Sequence, residues 1–213
     1  LNTLTTTQVQ ALTGAQVAAL TTAQMAKLAT GSLQALTTLQ AKSLTANQVN
    51  ALTTTQLAKL ETVDLANLAV NAISGLNNST VTNLNSDQVK ALTAAQLQAM
   101  SSGQLNAIDT GDLVKMGTDQ VAALKADQVA KLSTTLVEKL TTDQIKGMTA
   151  TQVASLTSTQ VAKLGTDQLQ AITTVQARAM TAAQINALST DQLVKMETAD
   201  VAALSASTVA GMS

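Results

Sequence analysis

The feature that most constrains this chain is an apolar residue at every eighth position, kept without a slip in register. The column runs from Leu4 to Met212, and each of its members is Leu, Met or Ile. No insertion breaks the period, so residues 1–213 are predicted to be a single array of about 26 octapeptide repeats. Such an array folds by stacking like units on one another rather than around one globular core.

A second apolar column lies three residues before the first, from Val9 to Val209, with Ala41 and Ala177 as its small members. A spacing of three places both side chains on one face of a helix, whereas in a strand they would point to opposite faces. Gln usually precedes this column, and Thr or Ser often lies three residues before the Gln. This is the capping-box pattern of a helix start, found at Thr5/Gln8, Thr13/Gln16, Thr21/Gln24, Thr45/Gln48, Thr93/Gln96, Thr141/Gln144 and Ser189/Gln192.

One continuous helix does not fit this pattern, because eight residues advance about 800° and the apolar stripe would drift about 80° per repeat. We therefore predict an all-α solenoid, or superhelix, of very short helices of about five to seven residues, which must be stabilised by their neighbours. The alternative is a β-helix with stacked Thr and Gln side chains. The i, i+3 apolar spacing and the abundance of Ala, Leu, Gln and Lys favour the helical fold.

The composition excludes most chemistry. The chain has no Cys, His, Pro or aromatic residue, which removes thiol nucleophiles, imidazole bases and the usual zinc ligands. We expect no enzyme activity and assign no catalytic, cofactor-binding or metal-binding residue. A net charge of -1 does not indicate a nucleic-acid partner, and no apolar run approaches the about 20 residues of a membrane span.

Two charged columns accompany the repeat. Asp directly precedes the Gln column at Asp87, Asp119, Asp127, Asp143, Asp167 and Asp191. Lys directly precedes the Leu column at Lys27, Lys59, Lys115, Lys131, Lys139, Lys163 and Lys195. In the predicted register the Asp residues lie in the first helical turn and the Lys residues in the last, where each complements the helix dipole. A calcium ladder is the alternative for the Asp column, but only Asp119 and Asp127 are in adjacent repeats, and solvated helix ends are favoured.

Residues 69–86 are the one long departure from the consensus. They keep both apolar columns but replace Gln with Ala72 and Thr80 and are rich in Asn. A binding insertion would change the repeat length. A degenerate stretch of the array is therefore favoured over a binding site.

The strings LTTAQMAKL (20–28), LTAAQLQAM (92–100) and MTAAQINAL (180–188) resemble octapeptide arrays in very large bacterial surface or secreted proteins of the repeat-rich adhesin type. The resemblance implies a spacer or stalk at an extracellular or cell-surface location, flanked by neighbouring repeats of a longer parent chain. The start at Leu1 without Met agrees with such a segment. The alternative function is a protein- or peptide-binding solenoid. Since Leu1, Leu4 and Met212 leave apolar ends uncapped, we also expect self-association through these ends.

Overall fold

A computed structural model describes residues 3–213, and every regular element in that range is an α-helix. The 26 helices begin eight residues apart, from Thr6 to Ala206. Residues 3–213 contain no strand, so the β-helix alternative is wrong and the all-α prediction is confirmed. Leu1, one of the apolar residues predicted to leave an end uncapped, lies outside the described residues.

The chain divides into two compact units, and the first is Leu1–Lys115. Its described helices are α1 (Thr6–Gln10), α2 (Gly14–Ala18), α3 (Thr22–Ala26), α4 (Thr30–Gln34), α5 (Thr38–Ala41), α6 (Ala46–Asn50), α7 (Thr54–Leu57), α8 (Thr62–Asn67), α9 (Val70–Ser74), α10 (Asn78–Thr82), α11 (Ser86–Ala91), α12 (Ala94–Ala99), α13 (Ser102–Asn106) and α14 (Thr110–Leu113).

The second unit is Met116–Ser213. Its helices are α15 (Thr118–Ala123), α16 (Ala126–Ala130), α17 (Thr134–Lys139), α18 (Thr142–Gly147), α19 (Ala150–Ser155), α20 (Ser158–Val161), α21 (Thr166–Gln170), α22 (Thr174–Ala179), α23 (Ala182–Asn186), α24 (Thr190–Leu193), α25 (Thr198–Ala203) and α26 (Ala206–Ala210).

Helices within each unit pack on their third neighbours along the chain. In the first unit α1 contacts α4, α2 contacts α5 and α9 contacts α12, and in the second unit α15 contacts α18 and α19 contacts α22. Three consecutive helices therefore make one coil, and each coil stacks on the one before it. Both units are α-solenoids of very short helices, in which stability comes from contacts between successive coils.

The core of each unit consists of the two apolar columns. The column that begins at Val9 is the more deeply buried: Val17, Leu65 and Val161 are each 0% exposed. Towards the end of the second unit this protection is lost, because Val201, Val209 and Met212 are 43%, 53% and 37% exposed. Self-association through apolar ends of the array stays a prediction.

The helices are four to six residues long, slightly shorter than predicted. All six residues of the Asp column lie in first helical turns, as predicted. The prediction for the Lys column is mostly wrong. Only Lys139 lies in a last turn, and Lys27 and Lys131 are C-caps. The other four Lys residues follow four-residue helices, which end two residues before the Lys, at Leu57, Leu113, Val161 and Leu193.

Candidate functional site

The most regular polar feature of the structure is the Gln at the third position of most helices, and Gln96 shows its first function. The Thr93 backbone N–H donates to Gln96 Oε1 at 2.9 Å, and the Gln96 backbone N–H donates to Thr93 Oγ1 at 3.3 Å. Thr93 has an extended backbone, which turns its hydroxyl towards the helix start. These reciprocal bonds satisfy two of the backbone N–H groups that a helix start leaves free.

The second function of Gln96 belongs to its amide nitrogen. Gln96 Nε2 donates to the carbonyl oxygen of Leu65 at 2.9 Å and to that of Leu68 at 3.0 Å. Both carbonyls lie at the C-terminal end of α8, just before α9, the helix on which α12 packs. Gln96 is 1% exposed. One buried amide therefore caps its own helix and links that helix to the preceding coil.

The same link recurs at fixed sequence distances. Nε2 of each such Gln donates to the carbonyls of the residues 31 and 28 positions earlier, at 2.6 to 3.1 Å. We call this arrangement the glutamine link. Both bonds are present at Gln40, Gln48, Gln56, Gln88, Gln96, Gln104, Gln152, Gln160, Gln168, Gln176 and Gln184.

The first three Gln residues show what remains of this arrangement without a preceding coil in the described chain. Gln8, Gln16 and Gln24 make the same bonds with their Thr partners, and all three side chains are exposed. From Gln40 onward most of the equivalent side chains are buried, whereas Gln120 and Gln192 are half-buried. Burial of the Gln column therefore follows from stacking and not from capping.

Residues 69–86 replace the glutamine link with a different side chain. Thr80 occupies the Gln position of α10. Asn50, which belongs to the preceding coil, both accepts from the start of α10 and links the two coils. Asn50 Oδ1 accepts from the Asn77 backbone N–H at 3.0 Å and from Thr80 Oγ1 at 2.8 Å, while Asn50 Nδ2 donates to the Gly75 carbonyl at 3.1 Å. This segment is a variant of the repeat whose polar link is supplied from the other coil.

Asn186 repeats this arrangement in the second unit. Its Nδ2 donates to the Gly211 carbonyl at 3.0 Å, and its Oδ1 accepts from the Ser213 backbone N–H at 3.0 Å. The two bonds of Asn186 span the same sequence separations as the corresponding bonds of Asn50. An Asn directly after the buried apolar column is therefore a second form of the link between coils.

Ala72 is the position in 69–86 where no link is visible. It is 2% exposed, and the N-cap Ala69 makes no side-chain cap bond. A groove at this junction is lined by both Ala residues and by Lys42, Thr45 and Asn71, among others. Its walls carry hydroxyl, amide and ammonium groups but no carboxyl group, so the groove offers no acid–base pair for catalysis.

The exposed Asp column is arranged by coils and not by adjacent repeats. Asp119 and Asp127, which lie in adjacent repeats, belong to α15 and α16. With three helices per coil, the true neighbours are three repeats apart: α15 packs on α18 and α18 on α21, which brings Asp119, Asp143 and Asp167 onto successive coils of one face. The number of helices per coil could not be read from the sequence.

Two carboxylates occupy the buried Gln position, and burial changes their acidity. Asp64 and Asp200 are each 2% exposed. Burial, and to a lesser degree repulsion from Glu61, raises the pKa of Asp64 to about 6. Burial and then Glu197 raise the pKa of Asp200 as well. Asp200 Oδ2 is buried without a hydrogen-bond partner, which marks this junction as different from the glutamine link.

Other kinds of site are scarce in this fold. Residues 3–213 contain no group of three or more acidic residues able to hold a metal ion. No helix in the same range has both the length and the apolar composition to cross a bilayer. The most distinctive polar chemistry in the described chain is therefore the set of contacts between coils.

The fold and these contacts define a tandem-repeat α-solenoid protein. The family model of the ALTTAQ repeat matches residues 1–30, 25–62, 97–134, 105–142, 137–166 and 161–196. These matches cover more than half of the chain, and the protein belongs to the ALTTAQ repeat family. A comparison with curated proteins gives no match.

Proposed function

We propose that this chain is a structural spacer or stalk segment of a larger repeat protein, at a bacterial surface or in a secreted protein. The observation that carries the proposal is the recurrence of one link in both units: a Gln amide joins successive coils at the same two carbonyl positions, as at Gln40 and Gln184. A structure built this way can be lengthened coil by coil, because each coil interacts only with near neighbours. The proposal includes no catalysis.

The polar groups of the repeat are used in a way that supports this function. The hydroxyl of an N-cap Thr and the amide of its Gln are used in bonds within and between repeats, as at Thr93 and Gln96. These groups are therefore not free to converge on a ligand. A binding protein needs a patch that departs from the consensus, whereas a spacer needs only that each unit fits the next.

The test uses the full-length protein that carries this segment and changes its length by whole coils. Deleting residues 142–165 removes α18, α19 and α20 and joins Thr141 to Thr166, which recreates a Thr three residues before Gln168. We expect the variant to fold, and we expect small-angle scattering to give a shorter maximum dimension. Duplicating the same segment should lengthen it. Function that changes with length in both directions supports a spacer.

The matched control keeps the length and changes the surface. Replacing exposed residues of α18 to α20, such as Thr151 and Thr159, with Glu should leave the function of a spacer unchanged. If these surface variants abolish function while the shortened and lengthened proteins retain it, the spacer proposal is wrong.

A binding solenoid is the second candidate, and one surface feature favours it. Leu39 and Val63 are 78% and 50% exposed, occupy the same repeat position and lie on α5 and α8, which pack together. Two adjacent exposed apolar side chains form a small contact point for a protein or peptide. A Leu39→Asp, Val63→Asp variant that folds normally but loses the function of the full-length protein would support binding over spacing.

A further inference from the structure

Two substitutions in the repeat always occur together. Across the chain, the N-cap position carries an acid only at Glu61, Asp109 and Glu197, and the Gln position carries Asp only at Asp64, Asp112 and Asp200. The surrounding repeats, LETVDLAN, IDTGDLVK and METADVAA, are otherwise different. Each Asp that replaces Gln thus has a second acid three residues before it. A second negative charge beside a buried carboxylate is unfavourable, and the partial positive charge at the start of a short helix offsets it only in part.

The position of Asp64 and Asp200 adds a second unfavourable interaction, because each takes the place of a Gln that donates to backbone carbonyls. In the glutamine link, the side-chain N–H groups face two carbonyls of the preceding coil. At the same sequence separations from Asp200 those carbonyls belong to Leu169 and Ile172, and from Asp64 they belong to Leu33 and Leu36. An ionised carboxylate has no hydrogen to donate to a carbonyl. Asp200 Oδ2 is accordingly buried without a hydrogen-bond partner.

Glu61 and Glu197 do not offset their negative charge by accepting hydrogen bonds from the backbone N–H groups of their own helices. Both are exposed, and neither makes a side-chain cap bond. Each junction therefore brings together a buried carboxylate, an exposed carboxylate three residues away and the carbonyl-bearing end of the preceding coil. Carboxylate and backbone carbonyl oxygens are the ligands that Ca²⁺ takes in proteins.

We propose that Glu197 and Asp200 bind a hard divalent cation together with backbone carbonyls of the preceding coil, and that Glu61 and Asp64 form an equivalent site. The cation replaces the Gln N–H groups as the positive link between coils. One site lies in each unit of the solenoid. No metal site was predicted from the sequence, because the two acids of a pair meet the carbonyls only after coils stack. This inference is independent of the spacer function.

The third acid pair serves as an internal control. Asp109 Oδ1 accepts from the Gly111 backbone N–H at 2.7 Å, and Asp112 Oδ1 accepts from Ser86 Oγ. Asp112 is also less buried than Asp64 and Asp200. Since both carboxylates of this pair already have donors, we assign no cation to it.

The test is calorimetric titration of the whole chain with CaCl₂ at pH 7.5, paired with thermal unfolding. We expect two bound Ca²⁺ ions per chain and a rise in unfolding midpoint of about 2–4 °C at saturating Ca²⁺. Asp200→Asn should leave one ion, and the Asp64→Asn, Asp200→Asn variant should bind none. Glu61→Gln with Glu197→Gln should also lose binding, and these exposed changes leave the fold intact. Asp112→Asn should bind as the parent does.

Three results would overturn the proposal. The first is no heat and no change in midpoint at millimolar Ca²⁺. The second is Ca²⁺ binding that survives in the Asp64→Asn, Asp200→Asn variant but is lost when Asp119, Asp143 and Asp167 are changed to Asn, since the exposed ladder would then be the binding site. The third is a protein that is stabilised by acidification to pH 5 while Ca²⁺ has no effect, because a proton would then neutralise the buried carboxylates.

Discussion

The helices over residues 93–108 keep Gln at both polar positions, whereas those over 69–84, one coil earlier, have Ala72 and Thr80. The two segments pack directly on each other, α12 on α9 and α13 on α10. Their apolar columns are equally buried: Ile73 and Val81 are 0% and 1% exposed, and Leu97 and Leu105 are 0% and 2% exposed. The segments thus share their packing and differ in the polar contacts between coils.

This difference separates two requirements of the repeat. The apolar columns decide where each helix lies, because they are kept wherever the polar column changes. The backbone groups at each junction must still be satisfied, since a buried unpaired N–H or C=O costs about 1–3 kcal/mol. Gln96 meets that requirement from the later coil and Asn50 from the earlier one. Either a Gln of the later coil or an Asn of the earlier coil can satisfy these backbone groups, and most junctions need one of the two.

The largest effect is expected from Gln96→Glu, which keeps the size of the side chain and its capping oxygen but loses the two N–H donors. At pH 7.5 a buried carboxylate would face the carbonyls of Leu65 and Leu68, and we expect a loss of about 2–4 kcal/mol in the free energy of unfolding. Denaturant unfolding monitored by circular dichroism measures it. The control is Gln8→Glu, whose side chain is exposed and which should change stability by at most about 0.5 kcal/mol.

The pH dependence of Gln96→Glu has a definite sign. Burial raises the folded-state pKa of a carboxyl group, so its contribution to stability is greatest below the unfolded-state pKa and is lost as the pH rises through the folded-state value. The variant should therefore recover stability on acidification, when a protonated Glu can donate to a carbonyl. The recovery should occur between pH 7.5 and about pH 4, as the introduced Glu becomes protonated. A variant as stable as the parent throughout this range would show that the amide donors contribute nothing.

A feature of the fold could be predicted when the residues that determine it lie within one repeat, and could not when they lie in different coils. Helix starts depend on Thr and Gln three residues apart, and burial depends on apolar residues three apart. Both lie within one repeat, so the helices and the all-α fold could be predicted. The donation from Gln96 to Leu65 and Leu68 spans 31 and 28 residues. The number of helices per coil cannot be read from a single repeat. The bonds from the Gln amide to the preceding coil were therefore not predicted.

Two patterns in the sequence indicate further features of the junctions between coils that were not predicted. Asn50 precedes Thr80 by almost the separation that the glutamine link spans, and the two side chains meet across the coils. The paired acids, such as Glu61 with Asp64, vary together within the array itself. The Lys column failed for a different reason: dipole arguments place a cation near a helix end, but they do not set where a four-residue helix such as α7 stops.

A smaller effect is expected from Asn50→Ala. The change removes the acceptor for the Asn77 backbone N–H and Thr80 Oγ1 and the donor to the Gly75 carbonyl, with an expected loss of about 1–3 kcal/mol. The informative variant adds Thr80→Gln. The introduced amide could reach the carbonyls of Val49 and Leu52, which stand where a glutamine link would meet them, so the double variant should recover most of the loss. Additive losses in a double-mutant cycle would mean that the two forms of the link are not interchangeable.

The smallest effect on stability is expected at glycine, and it differs between Gly75 in residues 69–84 and Gly103 in residues 93–108. A Cβ on Gly75 would lie 2.6 Å from Ala46 Cβ, on the helix α6 that contacts α9, whereas a Cβ on Gly103 would lie no closer than 3.5 Å to Asn78. Gly75→Ala should therefore cost about 1–2 kcal/mol through overpacking. Gly103→Ala should gain up to about 1 kcal/mol, since Ala favours the helix. Thermal unfolding of both variants gives the comparison. If Gly75→Ala were also stabilising, α6 and α9 could move apart without loss, and close approach of the coils would not be a requirement of residues 69–84.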